Sequence, residues 1–241
     1  MGYAIRTENL IKRYKDKTAV DGLTLSVKEG ELIALLGVNG AGKTTTVKML
    51  TCLTKLTEGR AEIMGHDVAK EPDEVKRSVG VSPQDTSVAE NLTVKENLEF
   101  MAAIYLPKDK ADAAVTRTIE AFGLGEFRNK KAKLLSGGYK RKLSIAMAVI
   151  GEPKVLFLDE PTLGLDVLAR RQLWREIEAL KKNMTIVLTT HYMEEAQSLA
   201  DRIVIMNEGK VMAAGTLEEL ENMTGKKGLE DVFVSIAEEQ V

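Results

Sequence analysis

Four short stretches of this chain carry residue types and spacings that suit chemistry. Gly37-Val38-Asn39-Gly40-Ala41-Gly42-Lys43-Thr44 fits G-x-x-x-x-G-K-[ST] at every position. Glycines at 37, 40 and 42 admit backbone conformations that a Cβ would block. Successive N–H groups of the loop, with Asn39, Ala41 and Thr45 in the same cradle, can then line a phosphate-sized nest. Lys43 adds a positive charge near the β- and γ-phosphates, and the Thr44 hydroxyl is suited to ligate Mg²⁺. The second stretch is Asp159-Glu160, two acids that follow the apolar run Val155 to Leu158. Asp159 can hold Mg²⁺ opposite Thr44, which leaves Glu160 free to orient or deprotonate an attacking water. The third is Leu135-Ser136-Gly137-Gly138-Tyr139, at the start of a helical pattern. It reads either as a second anion-binding helix N-terminus or as a Ser N-cap, and the residues alone leave both open. The fourth is His191 after Thr189-Thr190, by itself an ordinary strand-end residue. Tyr14 can stack on a base, but from the residues alone a half-buried strand position is the favoured reading.

These groups need elements to hold them. Leu32 to Leu36 reads as a buried strand entering the Gly-rich loop, and Thr45 to Leu50 as the helix leaving it. That helix points its positive end at the same anion. Val155 to Asp159 reads as a central strand with its acids at the carboxyl end, where ligand sites of open α/β sheets lie. Tyr3–Leu10 and Leu23–Val27 read as N-terminal strands, Glu58-Gly59 as a turn, and Thr185–Thr190 as a further strand. Between Asp85 and Glu152 the texture is helical. Thr93 with Glu96 makes a capping box, and Ser136 opens the helix running to Ile150. Val167 to Asn183 reads as a long helix with apolar positions Leu168, Leu173, Ile177 and Leu180. Arg202–Met206 and Lys210–Ala214 form a hairpin. The tail puts Leu229, Val232, Phe233 and Ile236 on one helical face. The expected class is α/β: a largely parallel core with an antiparallel N-terminal β flank and a mainly helical insert. The expected divisions are 1–84 with 153–217 as core and flank, 85–152 as helical subdomain, and 218–241 as tail.

A chain of 241 residues can bury one substantial core. The formal net charge of −2 gives no basic footprint, so no nucleic acid is expected. The basic residues Lys130, Lys131, Lys133, Lys140, Arg141 and Lys142 read as a solvated face. One cysteine, Cys52, excludes an internal disulfide and fits a reducing compartment. Met1 to Glu8 has no signal-peptide pattern, and no apolar run is long enough to span a bilayer.

Taken in order, GVNGAGKTT, Gln84, LSGGY, VLFLDEP, Gly164-Leu165-Asp166 and His191 resemble the ATPase domain of the ATP-binding cassette (ABC) family. The resemblance covers nearly the whole chain. It implies a P-loop NTPase (RecA-like) core that binds and hydrolyses MgATP, in a head-to-tail pair of subunits that traps two nucleotides. By that resemblance Tyr14 stacks on adenine, and Gln84 contacts Mg²⁺ or the lytic water and links the site to a transmembrane partner. Ser136, Gly137 and Gly138 bind the γ-phosphate held by the other subunit, Asp166 reaches across the interface, and His191 contacts the γ-phosphate. Tyr139 stands where many members carry Gln, and Val38 where Pro is common; neither removes a catalytic group. The LEDVF string and Pro161-Thr162-Leu163-Gly164-Leu165-Asp166-Val167 resemble exporter-type members. The expected protein is therefore the ATPase of an exporter, a homodimer on membrane permease subunits at the cytoplasmic membrane face. The competing readings are a soluble ABC-type ATPase acting on ribosomes or nucleic acid, a GTP-dependent switch, and a non-catalytic nucleotide-binding regulator. Asn129-Lys130-Lys131-Ala132 lacks the acid of a guanine motif, which weighs against the switch.

Overall fold

The structure, a computed structural model, describes residues 2–238. Residue 1 of the expected flank and residues 239–241 of the expected tail lie outside them. The N-terminal strands β1 (Tyr3–Tyr14) and β2 (Lys17–Lys28) pair antiparallel, and β1 also pairs with β4 (Glu58–Ile63), which carries the short β5 (His66–Asp67). This is a four-stranded antiparallel sheet in the order β2-β1-β4-β5. Both N-terminal strands run longer than their apolar residues suggest, because ladder pairing across register shifts carries polar Lys12, Arg13 and Lys17 along. Glu58 and Gly59 form no turn; they lie inside β4, where the ladder to β1 shifts between Glu8 and Ile11.

The second sheet contains β3 (Leu32–Leu36), β6 (Val79–Ser82), β7 (Val155–Asp159), β8 (Thr185–Thr190), β9 (Arg202–Asn207) and β10 (Lys210–Gly215). Its order is β10-β9-β3-β8-β7-β6, parallel throughout except for β10, which closes a hairpin with β9. The central strands are buried on both faces, as parallel strands under two covering layers must be. Leu32, Ala34, Leu36, Leu156, Leu158, Ile186 and Leu188 face one apolar cluster. Ile33, Leu35, Val155, Phe157 and Val187 face the other. That second cluster is filled by α1 (Lys43–Leu50), α2 (Pro72–Ser78) and the inner face of the antiparallel sheet.

The first cluster is built by the remaining helices. α3 (Val94–Tyr105), α4 (Lys108–Ala121) and α5 (Gly137–Val149) come between β6 and β7 in the chain, with two single 3₁₀ turns at Gly125–Phe127 and Ala132–Leu134. The Thr93–Glu96 capping box forms as its spacing requires. α6 (Val167–Leu180) buries Leu173, Trp174 and Ile177. Leu168 is not part of that stripe; it is 80% exposed at the first turn of α6. α7 (Met193–Leu199) has only the sparse apolar spacing Met193, Ala196, Leu199 to announce it. α8 (Leu217–Thr224) and α9 (Leu229–Glu238) close the described chain, with Leu229, Val232 and Ile236 buried. The basic run also departs from expectation: Arg141 and Lys142 are buried within α5.

Candidate functional site

The strand order gathers residues that are far apart in sequence. Neighbours β3, β8, β7 and β6 end side by side, with Leu36 opposite Thr190, Asp159 opposite Thr189, and Ser82 opposite Leu158. Beyond these carboxyl ends come the Gly-rich loop, His191, Asp159-Glu160 and Gln84 respectively. The chain order 37, 84, 160, 191 becomes the spatial order 37, 191, 160, 84. A cleft of about 440 Å³ lies there, lined by residues 39–45 together with Tyr14, Lys17, Gln84, Glu160 and His191. Such a crevice at parallel strand ends is where nucleotides bind in this architecture.

The loop is shaped by close approaches. A Cβ on Gly37 would lie 2.4 Å from the Met206 carbonyl oxygen. Gly42 has φ +98°, and a Cβ there would lie 2.6 Å from the Ala19 carbonyl oxygen. Any side chain at either position would push the loop off β2 or β9. Gly42 is the N-cap of α1 and offers no side chain to the helix N–H groups, which stay available for an anion.

Lys43 is buried and folds back on the loop. Its Nζ donates to Gly37 O at 2.7 Å and Val38 O at 3.2 Å, and it lies 3.4 Å from Glu160 Oε1. The other carboxylate oxygen of Glu160 is 2.8 Å from His191 Nδ1. Lys43, Glu160 and His191 thus form one row of paired groups. Glu160 holds φ +49°, a left-handed conformation rare for a non-glycine residue. Its N–H is fixed by Thr189 O at 3.1 Å and Thr189 Oγ1 at 3.0 Å, which turns the side chain out of the strand line into the cleft. Backbone conformations of this kind cluster at functional sites. Asp159 points elsewhere: its Oδ1 accepts from Thr189 Oγ1 at 2.5 Å and Thr44 Oγ1 at 3.1 Å.

A second surface carries the rest of the expected residues. Ser136, Gly138 and Asp166 line one groove of about 510 Å³ with Tyr139, Leu165 and Leu168. It shares no lining residue with the first cleft. Ser136 is at the N-cap position of α5, yet its side chain makes no capping hydrogen bond, and it is exposed with Gly137. Asp166 does cap its helix: Oδ1 accepts from Leu168 N at 2.9 Å and Ala169 N at 3.0 Å. Val167 and Leu168 project into solvent beside it.

The model of the ABC transporter family matches residues 20–163, more than half of the chain. The chain belongs to the ABC transporter family. It is 44% identical over 228 residues to the daunorubicin/doxorubicin resistance ATP-binding protein DrrA of Streptomyces peucetius, covering 94% of this chain and 69% of that one. It is 44% identical over 203 residues to the human phospholipid-transporting ATPase ABCA3, covering 84% of this chain and 12% of that one. Among solved structures, an ATP-binding subunit of an ABC transporter superposes with TM-score 0.88 at 30% identity, over 97% of this chain and 99% of that one. A dimeric ATP-binding cassette in a post-hydrolysis state, bound to ADP and Pi, gives 0.80 at 26% identity over 88% and 98%. The ABC subunit described here therefore binds ATP and is an ATPase. No helix among its described residues is long and apolar enough to cross a membrane.

The fold brings Lys43, Thr44, Gln84, Asp159, Glu160, His191 and Tyr14 of this ABC ATPase to one cleft, and Ser136, Gly138 and Asp166 to another face. Sequence reasoning missed Thr189, whose hydroxyl and carbonyl orient both acids. It also missed Tyr192, whose ring stacks 4.2 Å from His191 beneath the Arg170 guanidinium, 4.5 Å away. Thr189 had a signal, a β-branched residue one strand over from paired acids. Tyr192 and Arg170 had none.

Proposed function

We propose that two copies of this ABC ATPase close head to tail on two MgATP and drive a membrane permease, in the export direction. The observation that carries this reading is the separation of the two half-sites. The cleft at Lys43 has loop, lysine and acids; the groove at Ser136 has an open helix N-terminus and an uncommitted hydroxyl. Turning one copy against the other brings each groove to the other's cleft. Exposed Val167 and Leu168 suit the rim of such a contact.

The polar groups of the cleft fit their assigned tasks. Thr44 Oγ1 and Asp159 Oδ1, 3.1 Å apart, are the hard oxygen donors that Mg²⁺ takes when phosphates and waters complete its shell, with Gln84 lining the same cleft. When bound there, Mg²⁺ would neutralise phosphate charge as a Lewis acid. Lys43 would leave the Gly37 and Val38 carbonyls for the γ-phosphate. Its departure frees Glu160 from its cationic neighbour to orient water, while His191 steadies the other carboxylate oxygen. Tyr14, 44% exposed at the end of β1, offers its ring to adenine. Leu53 and Tyr105, both exposed, line a further cleft of about 300 Å³ with Met101 and Met147, a footing for a permease segment on the cytoplasmic face. Export is supported by the relatives' names, which speak of drug resistance and phospholipid transport. We read 1–84 with 153–217 as core and flank, 85–152 as a helical subdomain and 218–241 as a tail, supported by the helices gathered between β6 and β7. Glu160→Gln tests the mechanism. It should bind ATP and accumulate as an ATP-dependent dimer, with turnover lowered by about 10²-fold or more. Near-normal phosphate release by this variant would sink Glu160 as the water-orienting group.

A further inference from the structure

Ser136 stands at the N-cap position where α5 begins on the groove, but the middle of α5 packs on the Pro83-Gln84 segment of this chain's own nucleotide cleft. Arg141 is only 4% exposed, and among the described residues no carboxylate lies within ion-pair distance of it. Its guanidinium spends its donors on main-chain carbonyls: Nη1 donates to Pro83 O at 2.6 Å and Nη2 to Gln84 O. One turn further along the same face, the Ser144 and Ser82 hydroxyls are hydrogen-bonded at 3.0 Å. Burial pulls the Arg141 guanidinium down from its ordinary pKa, against the opposing fields of Asp159, Asp85 and Glu195. A cation removed from water is costly unless its hydrogen bonds are made. A planar fork holds two successive carbonyls in one fixed geometry, which a lysine ammonium on a flexible stem does not impose. If the Gln84 loop shifted without α5, the guanidinium would be left buried and unpaired. The loop and the helix are therefore constrained to move as one body.

We propose that Arg141 is a positioning residue that locks Gln84 to α5, so that what Ser136 binds in one ATP site is felt by Gln84 in the other. Ser136 precedes Arg141 by five residues, about 7.5 Å along a rigid helix axis. Contact of Ser136 with the partner's γ-phosphate shifts α5, and the Arg141 fork carries the shift to the Pro83 and Gln84 carbonyls. The proposal rests on the readings of Ser136 and Gln84 given above.

A double-mutant cycle tests it on the full chain. Turnover and the binding of a fluorescent ATP analogue are measured for Arg141→Met, Gln84→Ala and the double variant. Each single change should lower kcat about tenfold with nucleotide affinity within about twofold. The double variant should turn over no more slowly than Gln84→Ala, because Arg141 acts only through Gln84. Additive losses of about a hundredfold, or unchanged kcat in Arg141→Met, would overturn the proposal. If Arg141→Met melts too early to assay, Arg141→Lys keeps the cation without the rigid fork; it should lose kcat partially and add nothing to Gln84→Ala. Wild-type turnover in Gln84→Ala would instead break the reading of Gln84 on which the proposal stands, an outcome distinct from additivity.

Discussion

The cleft at Lys43 and the groove at Ser136 are both built around a helix N-terminus, yet they differ in how far the chain has satisfied them. In the cleft every key charge has a partner: Lys43 on Gly37 O, Val38 O and Glu160, Glu160 on His191, and Asp159 on Thr44 and Thr189. In the groove Ser136 and Gly137 are exposed, and the Ser136 hydroxyl caps nothing. The first is a preorganised pocket that exchanges internal partners for phosphate oxygens. The second awaits partners that this chain cannot supply from its own cleft. A pocket of the first kind pays nothing at the moment of reaction to orient its dipoles. On the head-to-tail reading proposed above, one of the second kind makes binding of ATP and binding of a second subunit the same event.

The largest effect should come from removing the cleft's cation. Lys43→Ala leaves Glu160 buried with one partner fewer and removes the charge meant for the γ-phosphate. We expect turnover lowered by about 10²–10³-fold and weakened ATP binding by the monomer, both read in nucleotide titrations and phosphate release. Ser136→Arg strikes the other region. It should abolish ATP-dependent dimerisation, seen as loss of the dimer peak on sizing with ATP in the Glu160→Gln background, while monomer affinity for ATP stays within about twofold. If the monomer's affinity fell as it does in Lys43→Ala, or if the dimer persisted, the two regions would not be halves of one site.

The same contrast explains what the sequence could reveal. The Gly-rich loop is contiguous, so its geometry follows from local residue types, and its strand and helix fall where the pattern requires. The acids at 159–160 were legible because an apolar run ends on them. That His191 and Gln84 join the loop was not legible from spacing, since it depends on the β3-β8-β7-β6 order, a long-range choice. The family resemblance supplied it instead. Charge was the poorest guide. Arg141 and Lys142 sit in a run of basic residues that reads as solvated, but both are buried, one against carbonyls and one against Glu176 at 2.6 Å. Composition reports how many charges a segment has, not which face a helix turns inward. Leu168 misled in the opposite sense: its apolar type fits the α6 stripe, but its place in the first turn leaves it beside the groove.

The smallest effect concerns the wall behind the cleft and sharpens the contrast between satisfied and open groups. Glu195 on α7 is wholly buried. Its Oε1 accepts from Trp174 Nε1 at 3.0 Å, whereas Oε2 has no hydrogen-bond partner among the described residues. Burial pushes its carboxyl above the usual range, against the Thr190 and Thr162 hydroxyls and the Trp174 N–H, with Glu160 adding to the push. The folded chain thus keeps a proton that the unfolded chain has already released. Its contribution to stability is present below the ordinary carboxylate pKa and is lost as pH rises through the raised folded value. Glu195→Gln keeps an acceptor for Trp174 and removes the titration. Melting temperature should therefore decline with rising pH across that window more steeply in the wild type than in Glu195→Gln. Other carboxylates, Glu176 among them, titrate in both proteins and cancel in the difference. Identical pH slopes would mean that Glu195 is already satisfied when ionised, and that the wall behind Glu160 is as fully paired as the cleft itself.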